Sequence, residues 1–254
     1  ELMHRLGHEV PHDAGIGIKV ISRAKSERLV RAAIAYALAN GRPRVTLVHK
    51  GNIMKTTEGA FMRWGYDLVR EEFQGRAIAA GDIKPGVPPP PGVVVVNDRI
   101  ADALFQDLLL KPRSLSVIAT TNLNGDYISD ACAAQVGGLG LAPGGNIGEG
   151  IAVFESTHGT APDIAGKGIA NPGSMILSGS MLLDFLGWPE AAQKVVDGFS
   201  AVLASGRMTP DLAGTAKGAH VLSTHEFGLA VAAEILGGAK RTMRPARRTP
   251  RKRR

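Results

Sequence analysis

The sequence has 254 residues, of which 44% are hydrophobic and 21% are charged. A chain of this size buries a sizeable core, and its composition is too mixed for a disordered polymer. Aromatic residues supply only 5% and glycine contributes 32 residues, which argues against a β-sandwich and favours an α/β protein with many tight turns. No apolar run reaches the ~20 residues of a membrane span, and the first ten residues lack the features of a signal peptide. With the single cysteine, Cys132, these features predict a soluble cytoplasmic protein without an internal disulfide.

The formal net charge of +7 is concentrated near one end of the chain. Residues 238–254 contain nine basic residues and no acid, whereas the preceding residues contain 21 basic and 23 acidic residues. The body is therefore not a basic nucleic-acid-binding domain. The tail over 238–254 is predicted to be disordered, because it has little to bury and its charges repel one another. Two interpretations of the tail stay open: an incidental solvated segment, or one that binds RNA, DNA or an acidic surface.

Predicted strands and helices alternate along the chain. In chain order they are a strand over 15–21, a helix over 26–39 with Ser26 as its N-cap, a strand over 45–48, a helix over 57–73, a proline-rich loop over 86–92, a strand over 93–96, a helix over 100–110, a strand over 116–119, a helix over 125–134, a glycine-rich run over 137–150, a strand over 151–155 and a mostly helical part over 174–236. This alternation predicts an α/β fold whose sheet is at least partly parallel.

Carboxylates mark a candidate metal site. Asp126 and Asp130 are four residues apart where a predicted helix follows a strand, so both lie on one helix face at the carboxyl end of that strand. Asp102 begins another helix, with Gln106 one turn later. Converging carboxylates suit a hard cation such as Mg²⁺ or Mn²⁺, whereas one cysteine and scattered histidines argue against zinc. The alternative is an aspartate that only complements a helix dipole.

Four segments resemble, in order, the motifs of the isocitrate and isopropylmalate dehydrogenase family of metal-dependent β-decarboxylating dehydrogenases. They are residues 49–61 (His-Lys-Gly-Asn and Thr-Glu-Gly-Ala-Phe among them), residues 100–103, residues 121–143 (beginning Thr-Asn-Leu-Asn-Gly-Asp) and residues 158–172. The resemblance covers roughly residues 14–237 and implies the non-Rossmann α/β fold of that family, with mixed sheets flanked by helices. His-Lys-Gly-Asn and Asn-Leu-Asn-Gly-Asp resemble the isocitrate branch more than the isopropylmalate or homoisocitrate branch.

The resemblance implies roles for individual residues. Lys50 matches the catalytic lysine that assists loss of the substrate hydroxyl proton, and Asp102 is assigned to the same catalytic group. Asp126 of one subunit and Asp102 of the other match ligands of Mg²⁺ or Mn²⁺, with Asp130 nearby or acting through water. The implied reaction converts isocitrate to 2-oxoglutarate and CO₂ while reducing a nicotinamide cofactor, in a homodimer with shared active sites.

The resemblance also places the cofactor. Gly138, Gly140 and Gly144 do not match the dinucleotide fingerprint of a Rossmann fold, and the family instead uses the loop over 158–171. The implied cofactor-binding positions are Asn52, Gln106, Lys111, His158, Gly159, Thr160, Ala161, Asp163, Ile164 and Asn171.

NAD is the expected cofactor rather than NADP. Family members that use NADP have a lysine-tyrosine pair where this chain has Asp163 and Ile164, and a tyrosine and an arginine where it has Pro210 and Gly214. A carboxylate at 163 can accept hydrogen bonds from the ribose 2′-hydroxyl and repels a 2′-phosphate. Lys111 is the one feature that favours NADP.

We expect the chain to be a C-terminal part of such an enzyme. The expected divisions are a remnant of an intersubunit clasp over 1–21, a small domain with the dimer interface and the metal acids over 22–136, the second half of a large domain with the cofactor loop over 137–237, and the basic tail over 238–254. The family's substrate-binding arginines and its proton-donating tyrosine find no match, so the chain alone is expected to be inactive. The alternatives are a non-catalytic dimerising remnant or subunit and, more weakly, a protein tethered to nucleic acid by its tail.

Overall fold

A computed structural model describes residues 2–11, 13–214, 216 and 218–242. The chain divides into two compact units, with the boundary between Ile128 and Ser129. The first unit contains a parallel sheet with its helices, and the second is mostly helical. The expected division at residue 136 and the assignment of residues 1–21 to a clasp stay predictions.

The first unit is built on four parallel strands. The strands are β1 (Arg44–His49), β2 (Ala77–Ala79), β3 (Val94–Ile100) and β4 (Val117–Thr120), in the sheet order β2-β3-β1-β4. The helices are α1 (Leu2–Arg5), α2 (Arg23–Ala39), α3 (Glu58–Glu72), α4 (Ala101–Leu110) and the beginning of α5 (Asn122–Val136). The predicted alternation and the parallel sheet are confirmed. The three-residue strand β2 was not predicted, because it is too short to show a period.

The core of the first unit lies between the sheet and helices α2 and α3. Strand β1 occupies an inner position, and Val45, Leu47 and Val48 are fully buried. Side chains from α2 and α3, including Val30, Phe61 and Leu68, complete the cluster. A strand buried on both faces reads as a continuous apolar run, which is why β1 was visible in the sequence.

Two predictions near the start of the chain are wrong. Helix α2 is capped by Ser22, whose hydroxyl accepts from the Lys25 N–H at 3.3 Å, whereas Ser26 lies inside the helix and donates to the Ser22 carbonyl. Residues 15–21 form no strand, although Ile16, Ile18 and Val20 alternate as a strand would. All three are exposed, and no strand among the described residues pairs with this segment, so its backbone lacks the ladder that a strand requires.

The second unit contains a hairpin and a group of helices. Strands β5 (Pro143–Ile147) and β6 (Ala152–Ser156) pair antiparallel, and β7 (Arg207–Met208) pairs in parallel with β8 (His220–Val221). The helices are the rest of α5, α6 (Gly173–Phe185), α7 (Pro189–Ala204), α8 (Pro210–Ala213) and α9 (Thr224–Thr242). Phe199 and Phe227 meet edge to face at the centre of the core, with ring centroids 5.6 Å apart.

The glycine-rich run over 137–150 includes strand β5, which the sequence did not reveal. A Cβ at Gly144 would lie 2.9 Å from the Glu155 carbonyl oxygen of the paired strand, so glycine permits this close pairing. A high glycine content is typical of a loop, and for this reason strand β5 was not predicted from the sequence.

Helix α9 extends into the segment that was predicted to be a disordered tail. Residues 238–242 are helical, although the tail was expected to begin at 238; alanine, lysine and arginine favour continuation of a helix already formed. The rest of the predicted disordered tail, residues 243–254, lies outside the described residues. Across the described part of the chain, no helix is long and apolar enough to cross a membrane.

Candidate active site

The candidate site of the first unit lies where three parallel strands end. Lys50 follows β1, Asp102 lies in the first turn of α4 after β3, and Thr121 follows β4. Because the three strands are parallel, their carboxyl ends share one edge of the sheet, which is where open α/β sheets bind ligands.

Lys50 and Asp102 form an ion pair at this edge. The Lys50 Nζ lies 2.5 Å from the Asp102 Oδ1. The hydrogen bond from Lys50 holds the pKa of the Asp102 carboxyl below its ordinary value, so the group is a carboxylate at neutral pH. Asp102 remains well exposed, with 69% of its side chain accessible, and its oxygens can reach a ligand from solvent.

The backbone of Lys50 is held on both sides. Its N–H donates to the Glu58 Oε2 at 3.0 Å, and its carbonyl accepts from the N–H groups of Ile53 and Met54. The next residue, Gly51, is pressed against the start of α3: a Cβ there would lie 2.7 Å from the Gly59 Cα. This turn therefore presents the lysine side chain from a fixed backbone.

His49 stabilises the same turn from within the core. Its Nδ1 accepts from the Gly51 N–H at 2.9 Å, so in the neutral ring the proton is on Nε2, which donates to the Asp98 Oδ2 at 3.1 Å. The Tyr66 hydroxyl donates to the other Asp98 oxygen at 2.6 Å. The hydrogen bonds from His49 and Tyr66 outweigh burial and lower the pKa of the Asp98 carboxyl, whereas burial and the Asp98 carboxylate raise the pKa of Tyr66.

Glu58 is the site residue that the sequence analysis did not single out. Its side chain is fully buried in the first turn of α3. Its carboxylate accepts from four donors: the Lys19 ammonium, the Thr121 hydroxyl, the Lys50 N–H and the Asn124 amide. Burial raises the pKa of the carboxyl, but these hydrogen bonds outweigh burial and leave the pKa below its ordinary value. The one available signal was its position inside the quoted segment over 49–61.

The predicted metal acids lie on two helices. Asp126 and Asp130 are exposed and one turn apart on α5, and Asp102 is on α4. Carboxylate oxygens suit Mg²⁺ or Mn²⁺, and the pair on α5 fits part of such a coordination shell. Among the described residues, no group of three or more histidine, cysteine, aspartate or glutamate side chains could hold a metal ion. The role of Asp102, Asp126 and Asp130 as metal ligands stays a prediction.

The candidate cofactor loop over 158–171 belongs to the second unit. The His158 Nδ1 donates to the Gly159 carbonyl at 2.9 Å. Ala161 has a left-handed backbone with φ of 43°, and a single 3₁₀ turn follows over Pro162–Ile164. Asp163 is exposed in that turn, and Ile164 is half-buried. A non-glycine residue in the left-handed region marks a strained loop of the kind that forms binding sites.

The end of this loop is tied to three helices, α6, α8 and α9. The Thr224 N–H donates to the Gly168 carbonyl at 2.8 Å, and the Thr224 hydroxyl donates to the Ala170 carbonyl. Asn171 is buried: its side chain accepts from the Gly173 N–H at the start of α6 and donates to Asp211 of α8. The oxygen and the nitrogen of the Asn171 amide therefore both have protein partners. This gives Asn171 a structural role in addition to its predicted contact with adenine.

The other predicted cofactor positions are accessible. Gly159 and Thr160 are exposed in the loop, and Asn52, Gln106 and Lys111 are exposed in the first unit. Asn52 lies in the turn after Lys50, Gln106 lies one turn beyond Asp102, and Lys111 is the C-cap residue that follows α4. Their roles stay predictions.

Comparison with known proteins decides the family. The family model for isocitrate/isopropylmalate dehydrogenase matches residues 4–231. The chain belongs to this family. The predicted membership and the family's α/β fold are thereby confirmed.

Relatives include the isocitrate dehydrogenase (NADP) of Coxiella burnetii, 52% identical over 89% of this chain and 53% of the relative, and that of Pseudomonas aeruginosa, 50% identical over 88% and 54%. Among solved structures, isocitrate dehydrogenase from Methylococcus capsulatus is 38% identical with a TM-score of 0.76, covering 88% of this chain and 59% of that one. The chain spans about half the length of the curated relatives it matches. Their names specify NADP, which does not support the predicted NAD preference.

Proposed function

We propose that this member of the isocitrate/isopropylmalate dehydrogenase family acts in the oxidative decarboxylation of isocitrate to 2-oxoglutarate in the cytoplasm. The observation that carries the proposal is the Lys50–Asp102 pair at the carboxyl edge of the parallel sheet. Its relatives at about 50% identity are named isocitrate dehydrogenase. The reaction transfers a hydride from C2 of isocitrate to nicotinamide, removes the C2 hydroxyl proton, releases the β-carboxylate as CO₂ and takes up a proton at C3.

The surroundings of Lys50 support a role for it in the first half of this reaction. In its amine form it can accept the hydroxyl proton, and the adjacent Asp102 carboxylate stabilises the ammonium that results. The fixed turn around Gly51 holds the lysine backbone while its side chain remains about a third exposed toward solvent. Asp102, Asp126 and Asp130 would hold Mg²⁺ or Mn²⁺, which when bound stabilises negative charge on the substrate oxygens as a Lewis acid.

The acids are proposed to meet in a homodimer with shared active sites. Asp102 of one subunit would face Asp126 of the other. Support comes from apolar side chains that lie exposed on the same two helices: Phe105 and Leu109 on α4, and Leu123 and Tyr127 on α5. Large apolar groups in such a position are typical of surfaces covered in an oligomer.

NAD is the proposed cofactor. Asp163 is exposed in the loop turn, where a carboxylate attracts a ribose hydroxyl and repels a phosphate, and Ile164, Pro210 and Gly214 offer no charge to a 2′-phosphate. The names of the curated relatives do not support this preference; the proposal rests on this chain's own residues. Lys111 opposes it weakly.

The proposed function is tested in a chimera that joins this chain to the part of the Coxiella burnetii relative that it does not match. The chimera should reduce NAD when isocitrate and Mg²⁺ or Mn²⁺ are present, and chelation of the metal should abolish the signal. A folded chimera that binds the cofactor and does not oxidise isocitrate would contradict the proposal.

Cofactor choice is measured in the same chimera. One charge-assisted hydrogen bond contributes about 1.5–3 kcal/mol and ~1.4 kcal/mol is a factor of ten, so kcat/KM should favour NAD over NADP about a hundredfold. The double variant Asp163→Lys with Ile164→Tyr should shrink or reverse the preference, whereas Asp184→Lys, an equal charge change on α6, should not. Equal use of NADP by the unmodified chimera would overturn the assignment of Asp163 to the ribose.

A further inference from the structure

A buried carboxylate joins the lysine turn to the first turn of helix α5. Glu58 has no accessible side-chain surface, and its nearest cation, Lys19, is only partly buried. An ionised group in a protein interior is costly unless hydrogen bonds and a countercharge satisfy it. Here four donors do so, and they come from three separate stretches of the first unit: the segment before α2, the turn after β1 and the start of α5.

Each of the two carboxylate oxygens accepts two of these four hydrogen bonds. Oε2 accepts from the Lys50 N–H at 3.0 Å and from the Asn124 amide at 2.7 Å. Oε1 accepts from the Thr121 hydroxyl at 2.8 Å and from Lys19. The peptide that begins the Lys50 turn and the helix turn before Asp126 therefore share one rigid acceptor.

We propose that Glu58 is a positioning residue, which fixes the backbone of Lys50 relative to the first turn of the helix that carries Asp126. This inference rests on the proposed function for its meaning, since Lys50 is the proposed proton acceptor of one shared site and Asp126 of the same chain is a proposed metal ligand of the other. The Glu58 side chain has no accessible surface, and it acts through the Lys50 N–H, Thr121 and Asn124.

The replacement Glu58→Gln has a defined expected defect. A glutamine keeps one acceptor oxygen and places an NH₂ donor where the other oxygen was. Whichever way the amide is oriented, its NH₂ group faces two of the four donors and cannot accept hydrogen bonds from them. The variant keeps the size of the side chain, so it tests the acceptor and not the packing.

The test is amide hydrogen exchange on the 254-residue chain without substrate or cofactor. In Glu58→Gln, exchange over residues 50–54 and 121–125 should rise about tenfold, the scale of one lost hydrogen bond, while strands β1 and β3 change little. The matched control is Glu72→Gln on the same helix, an exposed glutamate paired with Arg31, which should leave both segments unchanged. Unchanged exchange in both segments, or an equal rise throughout the first unit, would overturn the positioning role.

A second variant keeps the test decisive where Glu58→Gln does not fold. Thr121→Val removes one donor and preserves shape. The amide proton resonance of Lys50, 71 positions away in the chain, should shift in this variant because both groups share the Glu58 carboxylate. A shift confined to residues near 121 would overturn the inference. Neither measurement uses isocitrate, so failure of the proposed function does not affect either outcome.

Discussion

Contacts in the folded chain explain the residue types at three positions of the segment His-Lys-Gly-Asn. His49 is required as a buried acceptor for the Gly51 N–H and as a donor to Asp98. Gly51 is required because its Cα approaches the backbone of Gly59. Lys50, between them, is the chemical group that these two neighbours hold in place.

Replacing Gly51 with alanine should therefore be costly. The new Cβ would lie 2.7 Å from the Gly59 Cα and 2.8 Å from the His49 Nδ1, and overpacking of this kind costs about 1–3 kcal/mol in the free energy of unfolding. Gly81→Ala is the control, since nothing lies within 4 Å of a Cβ there. Urea denaturation of the two variants measures the difference, and equal stabilities would show that the lysine turn is not tightly packed.

Acid should destabilise the chain through Glu58 and Asp98. Both carboxyl groups have folded pKa values below their ordinary values, so their stabilisation is present above the unfolded pKa of about 4 and is lost as pH falls through the folded pKa. The urea concentration at the unfolding midpoint should therefore decrease when the pH is lowered below about 4.5. This decrease should be smaller in Glu58→Gln.

High salt should distinguish the contribution of the buried Glu58 carboxylate to stability from that of exposed ion pairs. The pKa of Glu72 is also lowered, by its hydrogen bond to Arg31, but the pair is exposed. High salt should remove the pH-dependent contribution of Glu72 and leave that of Glu58. Loss of both on adding salt would contradict burial of the Glu58 carboxylate.

At the scale of elements, periodicity predicted the buried strands and the long helices. It failed where local pattern and tertiary pairing disagree: residues 15–21 alternate like a strand but have no neighbour, and β5 is hidden among glycines. The site was partly predictable. Motifs pointed to Lys50, Asp102 and Asp126. Three of the four donors to Glu58 lie 39 to 66 positions away in the chain, and no local pattern reveals them.

Substitution of Ser22 and Ser26 tests which serine is the N-cap of helix α2. Ser22 caps the helix, so Ser22→Ala should lower the free energy of unfolding by about 0.5–2 kcal/mol. Ser26→Ala should cost less, because its hydroxyl donates to the Ser22 carbonyl, which also accepts from the Ser26 N–H. Thermal unfolding of both variants decides between the two serines, and a larger loss for Ser26→Ala would restore the original assignment.

For the whole molecule, the proposed shared active sites lead to a quantitative prediction in the chimera. Lys50→Met and Asp126→Asn should each be inactive alone. Mixed subunits should recover about a quarter of wild-type activity, because half of the random dimers are mixed and each of these has one intact site. No recovery after mixing would mean that Lys50 and Asp126 act within one chain.

We propose that Lys50 is the proton acceptor of an isocitrate dehydrogenase site, and kcat of the chimera with Lys50→Met tests this role directly. General acid–base groups contribute about 10²–10⁴ in rate, so kcat should fall by at least about a hundredfold. Lys55→Met, an exposed lysine close by in the chain, should retain wild-type kcat. A Lys50→Met chimera that oxidised isocitrate at the rate of the Lys55→Met control would show that Lys50 is not the proton acceptor.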